Sequence, residues 1–312
     1  TVEILDDACP KFSEIPTVAE TDKIDVAWPP APHPVEALSV HDLFRANGKL
    51  IRDLCYATTL SEEEAENFLL PVIANLARIV HLTPASEYDH HQGYGGLFTH
   101  SLEVAYYAAN DAKTTIFDRS ASPKDLYLNK RRWILTAVLA ALAHDIGKVF
   151  TDMEITAPNG QHWVQDEPIV DWLRKNGIKS YYISFRPGRE HNAHKSASLA
   201  NSGMLIPKET FTFLGLTGYG EQMLKEFRNA LLEGKEGGLI GKILDNADGL
   251  NCNVYNIRQR LERSCDCSPS DLLSKRTGSS HDSFSHFEKS DHSADMGRAK
   301  SPFPPDRTSL PA

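Results

Sequence analysis

The chain has 312 residues, with 33 Lys and Arg residues against 42 Asp and Glu residues, and a formal net charge of −9. Its 41% hydrophobic and 24% charged residues are ordinary for a globular protein. The acidic balance argues against indiscriminate coating of nucleic acid but leaves room for a local basic face.

Nothing in the sequence indicates a membrane or export segment. The longest apolar stretch covers residues 134–142, which is shorter than the roughly 18 residues that a membrane span requires. The acidic N-terminus lacks the basic and apolar regions of a secretory signal. We therefore expect a cytoplasmic protein without a membrane span.

The cysteines form a sparse set without a CxxC pair: Cys9, Cys55, Cys252, Cys265 and Cys267. This usage predicts reduced thiols rather than a disulfide framework or a cysteine-based zinc site. Cys55 and Cys252 lie in apolar or helical contexts, so we expect both to be core residues.

Composition divides the chain into three parts. Residues 1–36 contain closely spaced prolines, which favour an extended, solvated arm. Residues 263–312 contain no Val or Ile and are rich in Ser, Asp and Pro, so we expect a disordered tail or truncated linker. The folded domain is expected over residues 37–262.

The pattern within that domain predicts a mainly α fold. Five helices are predicted. The first begins at Ser61, the second contains residues 102–109, and the third runs from about Lys130 to Ala143. The last two cover residues 223–232 and 239–261. Ser61 and Glu64 have the spacing of a capping box, and Pro71 predicts a break or kink. Gly234 is a plausible helix stop.

A small β insertion is predicted among these helices. Residues 180–185 are aromatic-rich and roughly alternating, which is typical of a short strand or hairpin arm. Residues 161–164 are its expected partner. The expected fold is thus an α-helical bundle with a small β-hairpin insertion.

The apolar face of the third predicted helix continues directly into His144, Asp145 and Lys148. Charged side chains that extend a buried face are costly unless they are paired or bound to a metal ion. Adjacent imidazole and carboxylate groups suit a divalent cation with open water positions. The alternative is a solvated helix C-terminus, which is the usual role of an isolated His-Asp pair.

Other histidines and aspartates accompany this pair. His100 opens the second predicted helix, and His191 and His194 follow downstream. Asp245 and Asp248 are three residues apart and can share one helical face. This order of His, His-Asp and Asp suits a metal-dependent phosphohydrolase, because an open coordination position lowers the pKa of bound water.

Several segments carry a resemblance to a known family. They are 82–87 (LTPASE), 87–91 (EYDHH), 95–104 (GGLFTHSLEV), 140–148 (AALAHDIGK) and 181–186 (YYISFR). Together they resemble the N-terminal domain of the TraI-type MobH relaxases of conjugative plasmids and integrative conjugative elements. The resemblance covers roughly residues 37–255 and implies an HD-fold nickase that acts at an origin of transfer.

The resemblance also implies roles for individual residues. The metal ligands would be His100, His144, Asp145, Asp248, His191 and His194, and the catalytic residues would be Lys148, Asp145 and His91. The histidines that would bind a second metal or the scissile phosphate are His90, His91, His191 and His194. The implied cofactor is a divalent metal (Mg, Mn or Fe), and the implied partners are DNA at an origin of transfer and other conjugation proteins.

The attacking group stays open. A covalent intermediate needs a nucleophilic tyrosine. The possible nucleophiles are Tyr88, Tyr94, Tyr181 and Tyr182, although each is more readily explained as a structural aromatic. Metal-bound water would instead give an ordinary hydrolysed nick.

Residues 172–195 carry six basic side chains against one acidic side chain, interleaved with aromatic residues. Cations for the phosphate backbone and rings for base stacking suit a single-strand surface. The residues expected to contact nucleic acid are His90, Lys179, Tyr181, Tyr182, Arg186 and Arg189. The alternative is a solvated edge strand whose rings face the core.

The glycines between His91 and His100 do not form a P-loop, because no GKS or GKT follows them. We expect them to allow a tight turn. Two other functions stay open. One is an HD-type nucleotide phosphohydrolase, since such a site does not by itself choose among phosphate esters. The other is a catalytically inert DNA-binding or assembly module.

Overall fold

The computed structural model describes residues 9–17, 34–87, 90–190 and 192–265, with side chains described up to Arg258. The fold is mainly α with a small antiparallel sheet, which confirms the predicted class. The α-helices are α1 (Val40–Ala46), α2 (Gly48–Thr58), α3 (Glu62–Phe68), α4 (Leu70–Val80), α5 (Gly96–Thr114), α6 (Pro123–Ala143), α7 (Gly147–Thr151), α8 (Ile169–Lys175), α9 (Ala193–Leu205), α10 (Lys208–Gly215), α11 (Gly220–Glu233) and α12 (Leu239–Cys265). The strands are β1 (Val35–Glu36), β2 (Met153–Thr156) and β3 (Ser180–Phe185).

Several helix boundaries follow the local sequence signals. The Ser61 hydroxyl accepts from the Glu64 amide, and the Glu64 side chain accepts from the Ser61 amide, which confirms the capping box. The predicted break at Pro71 is present, because α3 ends at Phe68 and Pro71 lies in the first turn of the next helix, α4. Gly234, with a φ of 58°, ends α11 as predicted.

The third predicted helix begins earlier than expected, at Pro123 rather than near Lys130. Its first turns are exposed and carry no apolar stripe, but Ser122 caps them by accepting from the Asp125 amide. The stretch Pro123–Thr151 is long and apolar enough to cross a membrane by length and composition alone. Its most apolar window is 83% buried inside the fold, as in the core helix of a globular domain.

The centre of the bundle is the pair α5 and α6. Helices α2 and α4 pack against α5, and α9 and α11 pack against α6. The first turns of α5 lie beside the last turn of α6, because the His100 and His144 rings are in contact there. This end of the helix pair holds the candidate site.

The sheet has the order β1-β3-β2, with both pairings antiparallel. The prediction that residues 161–164 pair with β3 is wrong, because β2 takes that place and residues 161–164 make only an isolated bridge to Thr156 through His162. Along β3, Tyr181 and Ile183 face inward, while Tyr182 and Ser184 face outward. The predicted alternation of the strand is therefore confirmed.

The predicted solvated arm is wrong for residues 9–17. Phe12 and Ile15 are buried in the core, and the Arg52 guanidinium donates to the Ile15 carbonyl at 2.7 Å. Residues 18–33, which hold the proline run, lie outside the described residues. So do residues 266–312 of the predicted tail, although α12 continues to Cys265.

Candidate metal centre

Four side chains that are distant in sequence converge at the end of the α5–α6 pair. The cluster consists of His100 in α5, His144 and Asp145 after α6, and Asp248 in α12, and we call it the His–Asp cluster. The Nε2 atom of His100 lies 3.3 Å from Nε2 of His144 and 3.4 Å from a carboxylate oxygen of each aspartate. Nε2 of His144 lies 3.3 Å from Asp145 Oδ2 and 4.0 Å from Asp248 Oδ1.

Hydrogen bonds on the far side of each ring fix the tautomers of both histidines. The Nδ1 atom of His144 donates to the Ala141 carbonyl at 2.6 Å. The Nδ1 atom of His100 lies 2.8 Å from Asn251 Oδ1. The Asn251 amide group donates to Glu103, a carboxylate that can only accept, so Oδ1 must be the atom that faces His100. Both Nδ1 atoms are therefore donors, and in neutral rings both Nε2 atoms carry lone pairs.

The inner atoms of the cluster are consequently all hydrogen-bond acceptors. Each of the two imidazole nitrogens lies 3.3–4.0 Å from the other nitrogen and from a carboxylate oxygen of Asp145 and of Asp248, a crowding of acceptor atoms that a cation stabilises. Ligands about 2.0–2.2 Å from a metal ion lie roughly 3–3.5 Å from one another. His100, His144 and Asp145, whose ligand atoms all lie within 4.8 Å of one another, could hold one divalent ion, and Asp248 lies beside them.

Lys148 is the nearest cation of the described chain to this cluster. Its Nζ lies 2.7 Å from Asp145 Oδ2 and donates to the Ala85 carbonyl at 3.2 Å. Burial opposes the charge of Lys148, but Asp145 and Asp248 raise its pKa above the ordinary value. Burial likewise opposes ionisation of Asp145, yet His144 and Lys148 hold its pKa well below the usual range.

The two histidines have opposite pKa shifts. Burial lowers the pKa of His100 despite the neighbouring carboxylates. Burial also opposes protonation of His144, but Asp145 and Asp248 outweigh it and raise its pKa to about 8. Without a metal, a proton on His144 therefore relieves the repulsion among the acceptor atoms.

Glycines allow the close backbone packing that positions these ligands. A Cβ at Gly96 would collide with the carbonyl oxygen of His91, and Gly95 has a φ of 74°, so the expected tight turn before α5 is present. A Cβ at Gly147 would collide with the carbonyl oxygen of His194. Ser198 in α9 joins the same turn by accepting from the Gly147 amide and donating to the His144 carbonyl.

The other predicted histidines lie at different distances from the cluster. The Nε2 atom of His194 lies 3.6 Å from Asp145 Oδ1. His90 lies beside His100, with ring centroids 5.0 Å apart. His91 is buried, its ring centroid lies 5.5 Å from that of His100, and it contacts Glu103 at 3.4 Å and the Tyr255 ring. His191 lies outside the described residues.

A cavity of about 310 Å³ opens onto the cluster. Its polar wall includes His90, His144, Asp145, Lys148, Asn192, His194, Lys195, Asp245 and Asp248. Ala230, Leu231 and Leu244 from α11 and α12 provide the apolar wall. His91 is not among the lining residues, so its expected catalytic role has no direct route to a ligand in this cavity.

The residues expected to bind nucleic acid divide between core and surface. Tyr181 is wholly buried and its hydroxyl lies 2.7 Å from Nδ1 of His81, so the prediction that it stacks on a base is wrong. Lys179 and Tyr182 are exposed. Arg186 is half-buried, and Arg189 pairs with Glu87 at 2.6 Å. Lys179, Tyr182, Arg186 and Arg189 are called the β3 surface below.

The sequence analysis missed three residues around the cluster. Asn251 and Glu103 form the chain of hydrogen bonds behind His100, and Arg258 pairs with Glu103 at 3.0 Å. Cys252 is half-buried beside Asp248 and His90 rather than in the core as predicted. The available signal was helical spacing, since Asn251 and Cys252 follow Asp248 by three and four residues. Cys55, in contrast, is a core residue as predicted.

Comparison with known families matches residues 35–249 to the model of the TraI_2 family, which is described as "Putative helicase". No curated protein and no solved structure matches the chain. The matched region spans about two thirds of the 312 residues and includes every member of the His–Asp cluster. The chain therefore belongs to the TraI_2 family.

Proposed function

We propose that this chain is a metal-dependent phosphodiesterase that acts on DNA, in the manner of a conjugative relaxase domain that nicks at an origin of transfer. The proposal is carried by one observation: in the His–Asp cluster, two carboxylates meet two histidine rings whose tautomers are fixed by hydrogen bonds at Nδ1. Membership of the TraI_2 family and the resemblance to MobH relaxases support DNA as the substrate. We further propose that the bundle is of the HD type.

His100, His144, Asp145 and Asp248 would hold the divalent ion. When bound, such an ion supplies a Lewis acid that polarises a phosphate oxygen and lowers the pKa of water. The mixed set of nitrogen and oxygen ligands favours Mn²⁺ or Fe²⁺ over Mg²⁺, which prefers oxygen ligands. His194 and Lys195 line the cavity beside this position and are suited to bind a phosphate group.

Lys148 would have two tasks in this arrangement. Its ammonium group holds Asp145 ionised through the 2.7 Å contact and so keeps that ligand available. It also lines the cavity, where it would offset the charge of a phosphodiester. His91 is proposed as a positioning residue, because it contacts Glu103 rather than the cavity.

The test is nicking of supercoiled DNA that carries an origin of transfer, with Mn²⁺ or Mg²⁺ supplied. We expect His144→Ala and Asp145→Asn to abolish nicking while the far-ultraviolet circular dichroism stays unchanged. His162→Ala is a matched control, because His162 also pairs with a carboxylate, Glu154 at 3.1 Å, but is exposed and does not line the cavity. Retained nicking in both cluster variants would overturn the proposal.

A nucleotide phosphohydrolase is the second candidate function. The cavity volume of about 310 Å³ supports it, because small-molecule sites of this kind begin at roughly 300 Å³. The same variants would be assayed with mononucleotides and cyclic nucleotides. Turnover of these compounds without DNA binding would favour this candidate, whereas normal DNA binding by a metal-free protein would favour an inert binding or assembly module.

We propose a cytoplasmic location and association with other conjugation proteins on the basis of the proposed DNA substrate. We do not propose a helicase activity for this chain. No GKS or GKT follows a glycine-rich loop anywhere in the sequence, so the phosphate-binding loop of P-loop helicases is absent from it.

A further inference from the structure

A second group of potential ligands lies directly beside the His–Asp cluster. His90 comes from the loop that precedes α5, whereas Asp248 and Cys252 lie one turn apart on α12. The Sγ atom of Cys252 lies 3.5 Å from Nε2 and 3.6 Å from Nδ1 of His90, and 3.8 Å from Oδ1 of Asp248. Three ligand types thus meet at one point from two separate elements.

The spacing of this group fits a metal ion with a thiolate ligand. Zinc binds sulfur at about 2.3 Å and imidazole nitrogen at about 2.0–2.1 Å, so the two ligand atoms in a tetrahedral site lie roughly 3.5 Å apart. The distance from Cys252 to His90 is 3.5 Å. All three residues are half-buried, which leaves access for an ion and for a further ligand from solvent.

Asp248 belongs to both groups. Its Oδ1 atom lies 3.4 Å from Nε2 of His100 on one side and 3.8 Å from Cys252 Sγ on the other. Two-metal sites in phosphoryl-transfer enzymes hold their ions about 3.5–4 Å apart, a separation that one bridging carboxylate spans. The His90 and His100 rings, with centroids 5.0 Å apart, are also close enough to serve adjacent ions.

We propose that His90, Asp248 and Cys252 form a second metal subsite, the thiol subsite, which binds a thiophilic divalent cation such as Zn²⁺ or Fe²⁺. The thiolate selects against Mg²⁺ and Ca²⁺, which prefer oxygen ligands. The inference deepens the proposed function and rests on it only through the shared Asp248. Cys252 would then be a metal ligand rather than a structural thiol.

The test is titration of the chelator-treated full chain with Co²⁺ under anaerobic conditions, because cobalt bound to thiolate gives a near-ultraviolet charge-transfer band. We expect two ions per wild-type chain together with this band. Cys252→Ser should lose the band and bind one ion. Cys9→Ser is the matched control: Cys9 is also half-buried, but it lies in the 9–17 segment, and this variant should keep both ions and the band.

Two further variants separate this inference from the proposed function. His144→Ala should lose one ion and keep the band, because its site is the His–Asp cluster. His90→Ala should weaken the band and lower the affinity for the second ion at least tenfold. This variant tests the subsite independently if Cys252→Ser does not fold. A wild-type protein without the band, or a band that persists in Cys252→Ser, would overturn the thiol subsite even if nicking activity is found.

Discussion

The His–Asp cluster and the β3 surface both gather charged side chains, but they satisfy these charges in different ways. In the cluster, acceptor atoms of two histidines and two aspartates crowd together, and the Lys148 ammonium group and a proton on His144 offset the charge of the carboxylates. On the β3 surface, Arg189 already pairs with Glu87, and Lys179 is exposed to solvent. The cluster could hold a metal ion, whereas the charges of the surface are satisfied by an ion pair or by exposure to solvent.

This difference predicts where substitutions have large effects. Buried groups with fixed tautomers lose their function when a partner is removed, because no solvent replaces it. Exposed charges contribute little individually, since water and salt screen them.

The largest expected effect is that of Gly147→Ala. The added Cβ collides with backbone atoms of His194 and Ser198, which cannot move as a flexible side chain would. We expect a loss of about 3 kcal/mol or more in the free energy of unfolding, measured by urea denaturation. Gly203→Ala in α9 is the control, because its Cβ meets open space, and it should raise stability by up to about 1 kcal/mol. Equal stability of both variants would show that α7 and α9 do not pack as described.

We expect the stability of the fold to fall in acid because His81, which contacts the inner face of β3, is buried as a neutral ring. This ring is wholly buried beneath Tyr181, and burial lowers its pKa from 6.5 to about 4. Since the folded state prefers the neutral ring, the contribution to stability is complete above pH 6.5 and is lost as the pH falls towards 4. The pKa difference corresponds to about 3 kcal/mol.

Chemical denaturation of the wild type and His81→Gln at pH 7 and pH 4 tests this prediction. The variant should lose about 3 kcal/mol less stability over this interval than the wild type does, because its amide does not titrate. The prediction fails if the two proteins show the same dependence of stability on pH.

The third prediction concerns the residue behind His100. Asn251→Leu removes the acceptor for Nδ1 of His100, so the ring can adopt the tautomer that places a hydrogen on Nε2. We expect metal affinity at the His–Asp cluster to fall roughly 10- to 100-fold, measured by isothermal titration with Mn²⁺. Asn201→Leu is the matched control, because the Asn201 amide only donates within α9, to Ala197. Unchanged affinity in Asn251→Leu would exclude the proposed fixing of the tautomer.

The sequence predicted those parts of the fold that local chemistry determines. The capping box at Ser61 and the stop at Gly234 depend on residues within one turn of each other, and both are present. The start of α6 was missed because its exposed first turns carry no apolar pattern. The strand that pairs with β3 was also missed, because pairing depends on tertiary packing that residues 153–156 and 161–164 do not encode locally.

The candidate site likewise divides into residues that the sequence pattern indicated and residues whose role depends on tertiary packing. Residue type and order indicated His100, His144 and Asp145 and left both Asp245 and Asp248 as candidates, and the resemblance to the MobH relaxases implied Asp248. Asn251 and Glu103 were not foreseeable, because their positions are defined only by the approach of α12 to α5. Tyr181 and Tyr182 were both predicted to contact nucleic acid, but neighbouring strand residues face opposite sides, and alternation alone does not say which side is buried.

The smallest expected effect belongs to Lys179→Ala on the β3 surface. If Lys179 contacts one phosphate, its loss should weaken single-stranded DNA binding a few-fold and reduce the slope of log affinity against log salt by roughly 0.7. Fluorescence anisotropy across a salt series measures both quantities. Lys175→Ala is the control, because Lys175 is equally basic but pairs with Glu167 at 3.1 Å. Identical salt slopes for the two variants would mean that the β3 surface has no phosphate contact at Lys179, and that Lys179 is a solvated charge beside the central strand of the sheet.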